Sequence, residues 1–198
     1  MDTATTLPRR VRGPRAESSR ARLLAAAADV LGREGYTALT MERVAAASGV
    51  AKTTLYRHWP TKAALCMDLY LDEAGHELAD PDTGDVRRDL EAIVNDVVRL
   101  QTRTVAGAAF LGLVAEAQIH PSSRDAFLAE FAERRRGLTR KVLRRAVARR
   151  QLRRGVDLDL VIDAIGGATT FRLLQGHAPL DARFAKALVA LVLDGARP

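Results

Sequence analysis

From Ser18 to the end of the chain, apolar residues recur at spacings of three and four. Nowhere do they settle into the sustained alternation that a half-buried strand requires. That pattern predicts an all-α fold. Glycine and proline supply the punctuation: Gly35, Gly49, Pro60, Pro81 with Thr83 and Gly84, His120-Pro121, Gly155, and Gly176 to Pro179. The first helix is expected from a cap at Ser18 or Ser19 to about Glu34, with Leu23, Ala27, Val30 and Leu31 on one face. Thr40 caps a short helix through Ala47, with Glu42 in its first turn, and Ala51 to about His58 forms a second short helix. Pro60 stands near the start of the next helix, where a missing N–H costs nothing, and that helix is expected to reach about Leu78. Further helices are expected at about 85–105, 107–119, 122–152, 157–175 and 181–195. No internal repeat is visible.

The chain has 198 residues, 47% of them hydrophobic, enough for one large or two small domains with a core that needs no staples. A lone cysteine, Cys66, excludes a disulfide framework and a cysteine-built zinc site. His58, His76, His120 and His177 are too scattered to suggest a metal cluster, and no cofactor is implied. The longest uncharged apolar run, Thr104 to Ala115, is 12 residues, short of a membrane span. Arg9-Arg10 resembles an export signal, but Asp29, Arg33 and Glu34 interrupt the only apolar stretch that follows. The expectation is a soluble, cytoplasmic protein with no membrane partner.

Charge placement narrows the partner. Residues 1–62 carry 11 Lys+Arg against 5 Asp+Glu, so +6 of the total +7 sits in the first third. A concentrated basic segment is the footprint of a polyanion, nucleic acid before anything else. Residues 1–17 read as a flexible basic arm, broken by Pro8, Gly13 and Pro14. Its Arg9, Arg10, Arg12 and Arg15 either enter a minor groove or remain a solvated tail.

Three short helices within residues 18–62, two of them joined by a tight glycine turn, form a helix-turn-helix pattern. In such a unit the first helix of the pair braces against the DNA backbone while the second enters the major groove. Val50 and Leu55 face inward here, leaving Lys52, Thr53, Thr54, Tyr56 and Arg57 for contact. The stretch Gly35-Tyr36-Thr37-Ala38-Leu39-Thr40-Met41, with Val44-Ala45, Ser48-Gly49-Val50, Lys52-Thr53-Thr54-Leu55-Tyr56, His58-Trp59 and Lys62-Ala63-Ala64-Leu65, resembles the DNA-binding domain of the tetracycline-repressor-like (TetR) family. The resemblance covers about residues 19–66. Thr53 departs from the family's frequent Gly, and Trp59 from its usual Phe.

The resemblance implies roles. Thr40 would bind a phosphate through its hydroxyl and a backbone N–H, and Tyr56, Lys62 and His58 would hold phosphates flanking the groove. Ala51, Lys52, Thr53 and Thr54 would meet base edges, with Lys52 the candidate for a guanine. It also implies that residues 63–198 form a larger helical domain for ligand binding and dimerisation. Candidate dimer stripes are Leu160, Ala164, Gly167, Ala168 and Phe171, and Phe184, Leu188, Leu191 and Val192; the alternative is that these face the chain's own core. Phe110, Gln118, Phe127, Phe131 and Thr170 are candidates to line a ligand cavity, or are ordinary packing. Residues 134–154 hold 11 Lys+Arg and no acid, and 68–96 hold 10 Asp+Glu; these stretches either face one another or remain solvated.

The expected function is a homodimeric transcriptional regulator, a repressor in most of the family, released from a palindromic double-stranded operator by a small-molecule effector. The alternative is a ligand-free or architectural DNA-binding protein. An enzyme carrying a helix-turn-helix is disfavoured. The chain has no phosphate-binding glycine loop, no paired metal-ligand histidines at helical spacing and no nucleophile elbow.

Overall fold

A computed structural model describes residues 14–75, 80–121, 124–125, 129 and 133–196. Among the described residues there are nine helices and no strand. They are α1 (Pro14–Ala38), α2 (Met41–Ser48), α3 (Lys52–His58), α4 (Lys62–Gly75), α5 (Val86–Arg103), α6 (Ala106–Ile119), α7 (Glu133–Ala148), α8 (Leu158–Gln175) and α9 (Ala182–Ala196). The all-α expectation holds.

Among the boundaries that differ from expectation are the start of α1 and the end of α7. α1 begins at Pro14 rather than at Ser18 or Ser19, so Arg15 belongs to a helix, while Arg9, Arg10 and Arg12 lie outside the described residues. Proline is tolerated there because the N–H it lacks would have no intrahelical acceptor. α7 ends at Ala148 instead of running on to about residue 152. Arg150 turns left-handed (φ 60°), its N–H donates to the Val147 carbonyl, and the Gln151 N–H reaches the Ala146 carbonyl at 2.9 Å. Those paired bonds are the Schellman ending, built here without its usual glycine.

Two apolar cores form. The first joins α1, α2 and α3 to α4 and α6, through Leu23, Ala27, Leu31, Val44, Leu55, Trp59, Leu65, Tyr70, Phe110 and Leu113 among others. The helix-turn-helix and the first layer of the C-terminal part therefore share one hydrophobic cluster that continues across residue 62. The second core, from α5, α7, α8 and α9, is centred on Leu90, Val94, Leu143, Ile162, Leu188 and Val189. The opposite-charged stretches do meet. Lys141 and Arg145 bind Asp80, Arg145 and Arg149 bind Asp82, and further along α7 Arg136 and Arg140 bind Asp159, with Arg136 also on Asp163 of α8.

A 90° bend between α5 and α6 brings the two cores side by side. Among the described residues no single helix is long and apolar enough to cross a membrane. Thr104 Oγ1 holds the corner, donating to the Leu100 carbonyl at 2.8 Å and accepting the Ala106 N–H at 3.1 Å. Gly107 makes the bend possible, because a Cβ there would lie 1.9 Å from the Gln101 carbonyl oxygen. Backbone cannot yield as a side chain end can, so Gly107→Ala should lower stability by about 1–3 kcal/mol. Urea denaturation measures it, and an unchanged midpoint would mean the corner opens freely.

Candidate nucleic-acid interface and internal cavity

The helix-turn-helix is built from α2, a three-residue turn and α3. Thr40 caps α2, its Oγ1 accepting the Arg43 N–H at 3.2 Å. α2 ends at Gly49, whose φ of 63° is left-handed and whose N–H returns to the Ala46 carbonyl. A side chain at Gly49 would be strained by that backbone and would press on the Arg22 guanidinium at 3.2 Å. That guanidinium is needed nearby: Arg22 donates to the Ser48 carbonyl at 2.6 Å, fastening the turn to α1. Ser48 Oγ donates to the Ala45 carbonyl and accepts the Val50 N–H, which closes the turn.

α3 buries Leu55, and Val50 of the preceding turn packs partly against the first core, as the pattern predicts. Ala51, Lys52, Thr53, Tyr56 and Arg57 are exposed, with Thr54 and His58 half-buried. Thr40, Ala51, Lys52, Thr53, Tyr56 and Arg57 therefore present reachable side chains, while the His58 ring lies 5.3 Å from that of Trp59. Lys62 is turned back onto α1. Its Nζ donates to the Tyr36 carbonyl at 3.3 Å and sits 3.9 Å above the Tyr36 ring. Gly35, whose φ of 79° breaks α1, stands just before Tyr36, whose carbonyl also accepts the Leu39 N–H at 3.2 Å.

Four contributors escaped the motif reading. Glu42 accepts from the Tyr56 hydroxyl at 3.3 Å and lies 3.9 Å from Lys52 Nζ. Desolvation and the Glu42 carboxylate push the Tyr56 hydroxyl above the usual tyrosine range. Asp68 of α4 accepts the Trp59 indole N–H at 2.9 Å and pairs with Arg20 of α1 at 2.8 Å. Tryptophan in place of phenylalanine thus adds a tie from the end of α3 to both neighbouring helices. Arg43 reaches Glu34 and the Ala38 carbonyl, bracing α2 on α1. The Tyr36 ring lies against α6, where a Cβ on Gly112 would come within 1.9 Å of it. Burial first, then the Cys66 thiol and the Glu116 carboxylate, push its hydroxyl well above the ordinary tyrosine range. Partners 5 to 76 residues apart in sequence, most of them on different helices, leave no helical spacing signal.

The C-terminal part holds a partly open cavity of about 430 Å³ between α5, α6, α7 and α8. Apolar walls come from Ile93, Val97, Phe110 and Ile162, with Gln101 and Thr170 among the polar lining. Of the expected ligand residues, Phe110 and Thr170 line this cavity and Gln118 does not, because it lies on the exposed side of α6. Phe127 and Phe131 lie outside the described residues. Among the described residues no group of three His, Cys, Asp or Glu side chains is placed to hold a metal ion. Two cavity residues touch α4: the Phe110 ring packs 6.1 Å from that of Tyr70, and Arg135 donates to the Tyr70 hydroxyl at 2.9 Å.

The expected dimer stripes divide. Leu160, Phe171 and Leu191 are exposed at 65%, 59% and 73%, Ala164 and Gly167 are exposed too, and Leu174 joins them. Leu188 is instead buried in the chain's own second core, with Phe184, Val192 and Ala168 partly buried against it. α9 packs on α5, which already covers the face that Leu188 shares with Ala185 and Val189.

A glycine-turned helix pair on a shared core, with polar side chains along the second helix and a separate helical part behind it, defines a helix-turn-helix transcriptional regulator. Residues 23–68 match the family model "Bacterial regulatory proteins, tetR family", and residues 80–192 match "Tetracyclin repressor-like, C-terminal domain". The crystal structure of the TetR family transcription regulator SCO0332 superimposes with a TM-score of 0.75 at 41% identity, covering 91% of this chain and 100% of that one. The DNA-binding transcriptional repressor TetR of Mycobacteroides abscessus is 33% identical over 92% of this chain and 98% of its own length. A structure of a transcriptional regulator from Saccharomonospora viridis in complex with choline shares the fold at 18% identity and a TM-score of 0.62, over 90% and 96% of the two chains. The chain belongs to the TetR family of DNA-binding transcriptional regulators.

Glu42 sets a carboxylate beside the exposed face of α3, 3.9 Å from Lys52 Nζ and accepting from the Tyr56 hydroxyl. Glu42→Gln should raise affinity for random-sequence DNA several-fold at low salt and narrow the gap between operator and random DNA. Fluorescence anisotropy with both duplexes would read this directly. Unchanged non-specific binding would place Glu42 away from the DNA.

Proposed function

We propose that the protein is a homodimeric repressor that leaves a palindromic operator when a small molecule fills the cavity between α5, α6, α7 and α8. The observation that carries this reading is the double contact of the cavity with α4. Phe110 and Arg135 both meet Tyr70, and the same helix begins at Lys62 beside the DNA-facing elements. A ligand that displaces either side chain favours a different seating of α4, and with it of α3 through Trp59 and Asp68. Two recognition helices must sit about 34 Å apart to enter successive major grooves, so a modest shift is enough to disfavour binding. A regulator of this fold with choline bound supports a small-molecule occupant.

On the DNA side, Ala51, Lys52, Thr53 and Thr54 meet base edges in the major groove, and Thr40, Tyr56, Arg57, His58 and Lys62 serve the phosphates. Lys62 would have to leave the Tyr36 carbonyl to do so. Sequencing the DNA fragments that the protein retains, with and without candidate effectors, tests the reading as a whole. Recovered fragments without a two-fold repeat would overturn it. Lys52→Ala should cost about 1–3 kcal/mol of specific affinity and relax selectivity at one base position. An unchanged ratio of operator to random binding would remove Lys52 from the base edge.

The second copy docks on the exposed faces of α8 and α9, through Leu160, Ala164, Gly167, Phe171 and Leu191. Large apolar side chains repeated at three-to-four spacing along adjacent helices are the pattern of a helix-packed interface. Leu191→Glu should therefore yield a folded monomer that has lost operator binding, as judged by sedimentation, circular dichroism and anisotropy. Leu188→Glu should instead unfold the protein, because it buries a charge in the second core. A dimeric Leu191→Glu protein would move the interface elsewhere.

A further inference from the structure

We infer that the cavity selects a neutral, largely apolar molecule carrying one hydroxyl or N–H, which it recognises through the side-chain amide of Gln101. The inference rests on the reading of this cavity as an effector site and adds the chemistry of the occupant. Gln101 stands in the last turn of α5, where the backbone turns sharply into α6, and it is 94% buried by virtue of its 6% exposure. Gln101 lines the cavity, and its buried Oε1 receives no hydrogen bond from any described residue. A buried carbonyl with no donor is costly, and a ligand donor placed there recovers that cost on binding.

Most other polar groups of the wall are already engaged, and the half-buried Thr170 adds a hydroxyl to the lining. Thr139 Oγ1 donates to the Arg135 carbonyl at 3.4 Å, and Thr169 Oγ1 to the Ile165 carbonyl at 2.7 Å. Asp163 is ion-paired with Arg136, so the carboxylate of this wall is not offered to a cation. Arg135 donates to Tyr70, and a ligand anion would have to compete with that bond. What remains is a largely apolar chamber in which the deeply buried Gln101 amide is the polar group without a partner, a combination that fixes orientation by few hydrogen bonds. A hydroxyl both donates and accepts, so it satisfies either half of the amide. A hydrocarbon of the same shape leaves Oε1 as it was.

A matched series of naphthyl probes tests this: naphthalene, 2-naphthol, 2-naphthoate and naphthyltrimethylammonium, titrated by naphthyl fluorescence and calorimetry into the full-length protein. 2-Naphthol should bind about tenfold tighter than naphthalene, the worth of one hydrogen bond to an otherwise unpaired buried group. It should also exceed both ions. In Gln101→Leu the preference for the alcohol over the hydrocarbon should disappear while naphthalene binding persists or improves. The ligand-free variant should melt no lower than the wild type, since it loses an unpaired polar group and keeps the volume filled. Equal binding of naphthalene and 2-naphthol to the wild type, a preference that survives Gln101→Leu, or tightest binding by either ion would each overturn the inference. Adding operator DNA separates the two claims. Gln101-dependent naphthol binding without DNA release would uphold the ligand chemistry and defeat the effector reading.

Discussion

The contact of the Tyr36 ring with the bare backbone of α6 at Gly112 is the constraint on which the rest of the molecule depends. It sits where α1, broken at Gly35, turns towards α2, and it presses the DNA-facing unit directly against the helix that carries Phe110 into the cavity. With no side chain between them, the two parts of the protein cannot slide independently. One apolar cluster runs from Leu55 beneath the recognition helix to Leu113 in the middle of α6. A close-packed interior of this kind transmits displacement because it has no slack to absorb it.

The polar ties reinforce that arrangement at its weakest places. A helix as short as α3 has little stability of its own, and it is held at both ends by partners outside itself. At its start, the turn is fastened to α1 by Arg22 on the Ser48 carbonyl; at its end, Trp59 reaches Asp68, which also holds Arg20. The second core is tied differently. There the basic α7 is clamped by Asp80 and Asp82 on one side and by Asp159 and Asp163 on the other. These pairs are largely exposed, so they contribute orientation more than stability. They also pair Arg136 and Asp163 of the cavity wall with each other.

Helix positions, the inward turn of Val50 and Leu55 and the resemblance of residues 19–66 to a DNA-binding domain were all legible in the sequence by itself. Each depends on spacings of three and four or on a glycine with a required backbone angle, as at Gly49, and such signals are local. What only the tertiary structure decided has partners far apart in the chain. Leu188 and Leu191 belong to one apolar run, yet α5 covers the first and leaves the second exposed. Gln118 and Gln101 are the same residue type on consecutive helices, and the 90° bend at Gly107 turns only Gln101 into the cavity. Periodicity assigns a residue to a helix face; which neighbouring helix meets that face depends on how the helices pack, and that decides whether the residue is core, cavity or surface.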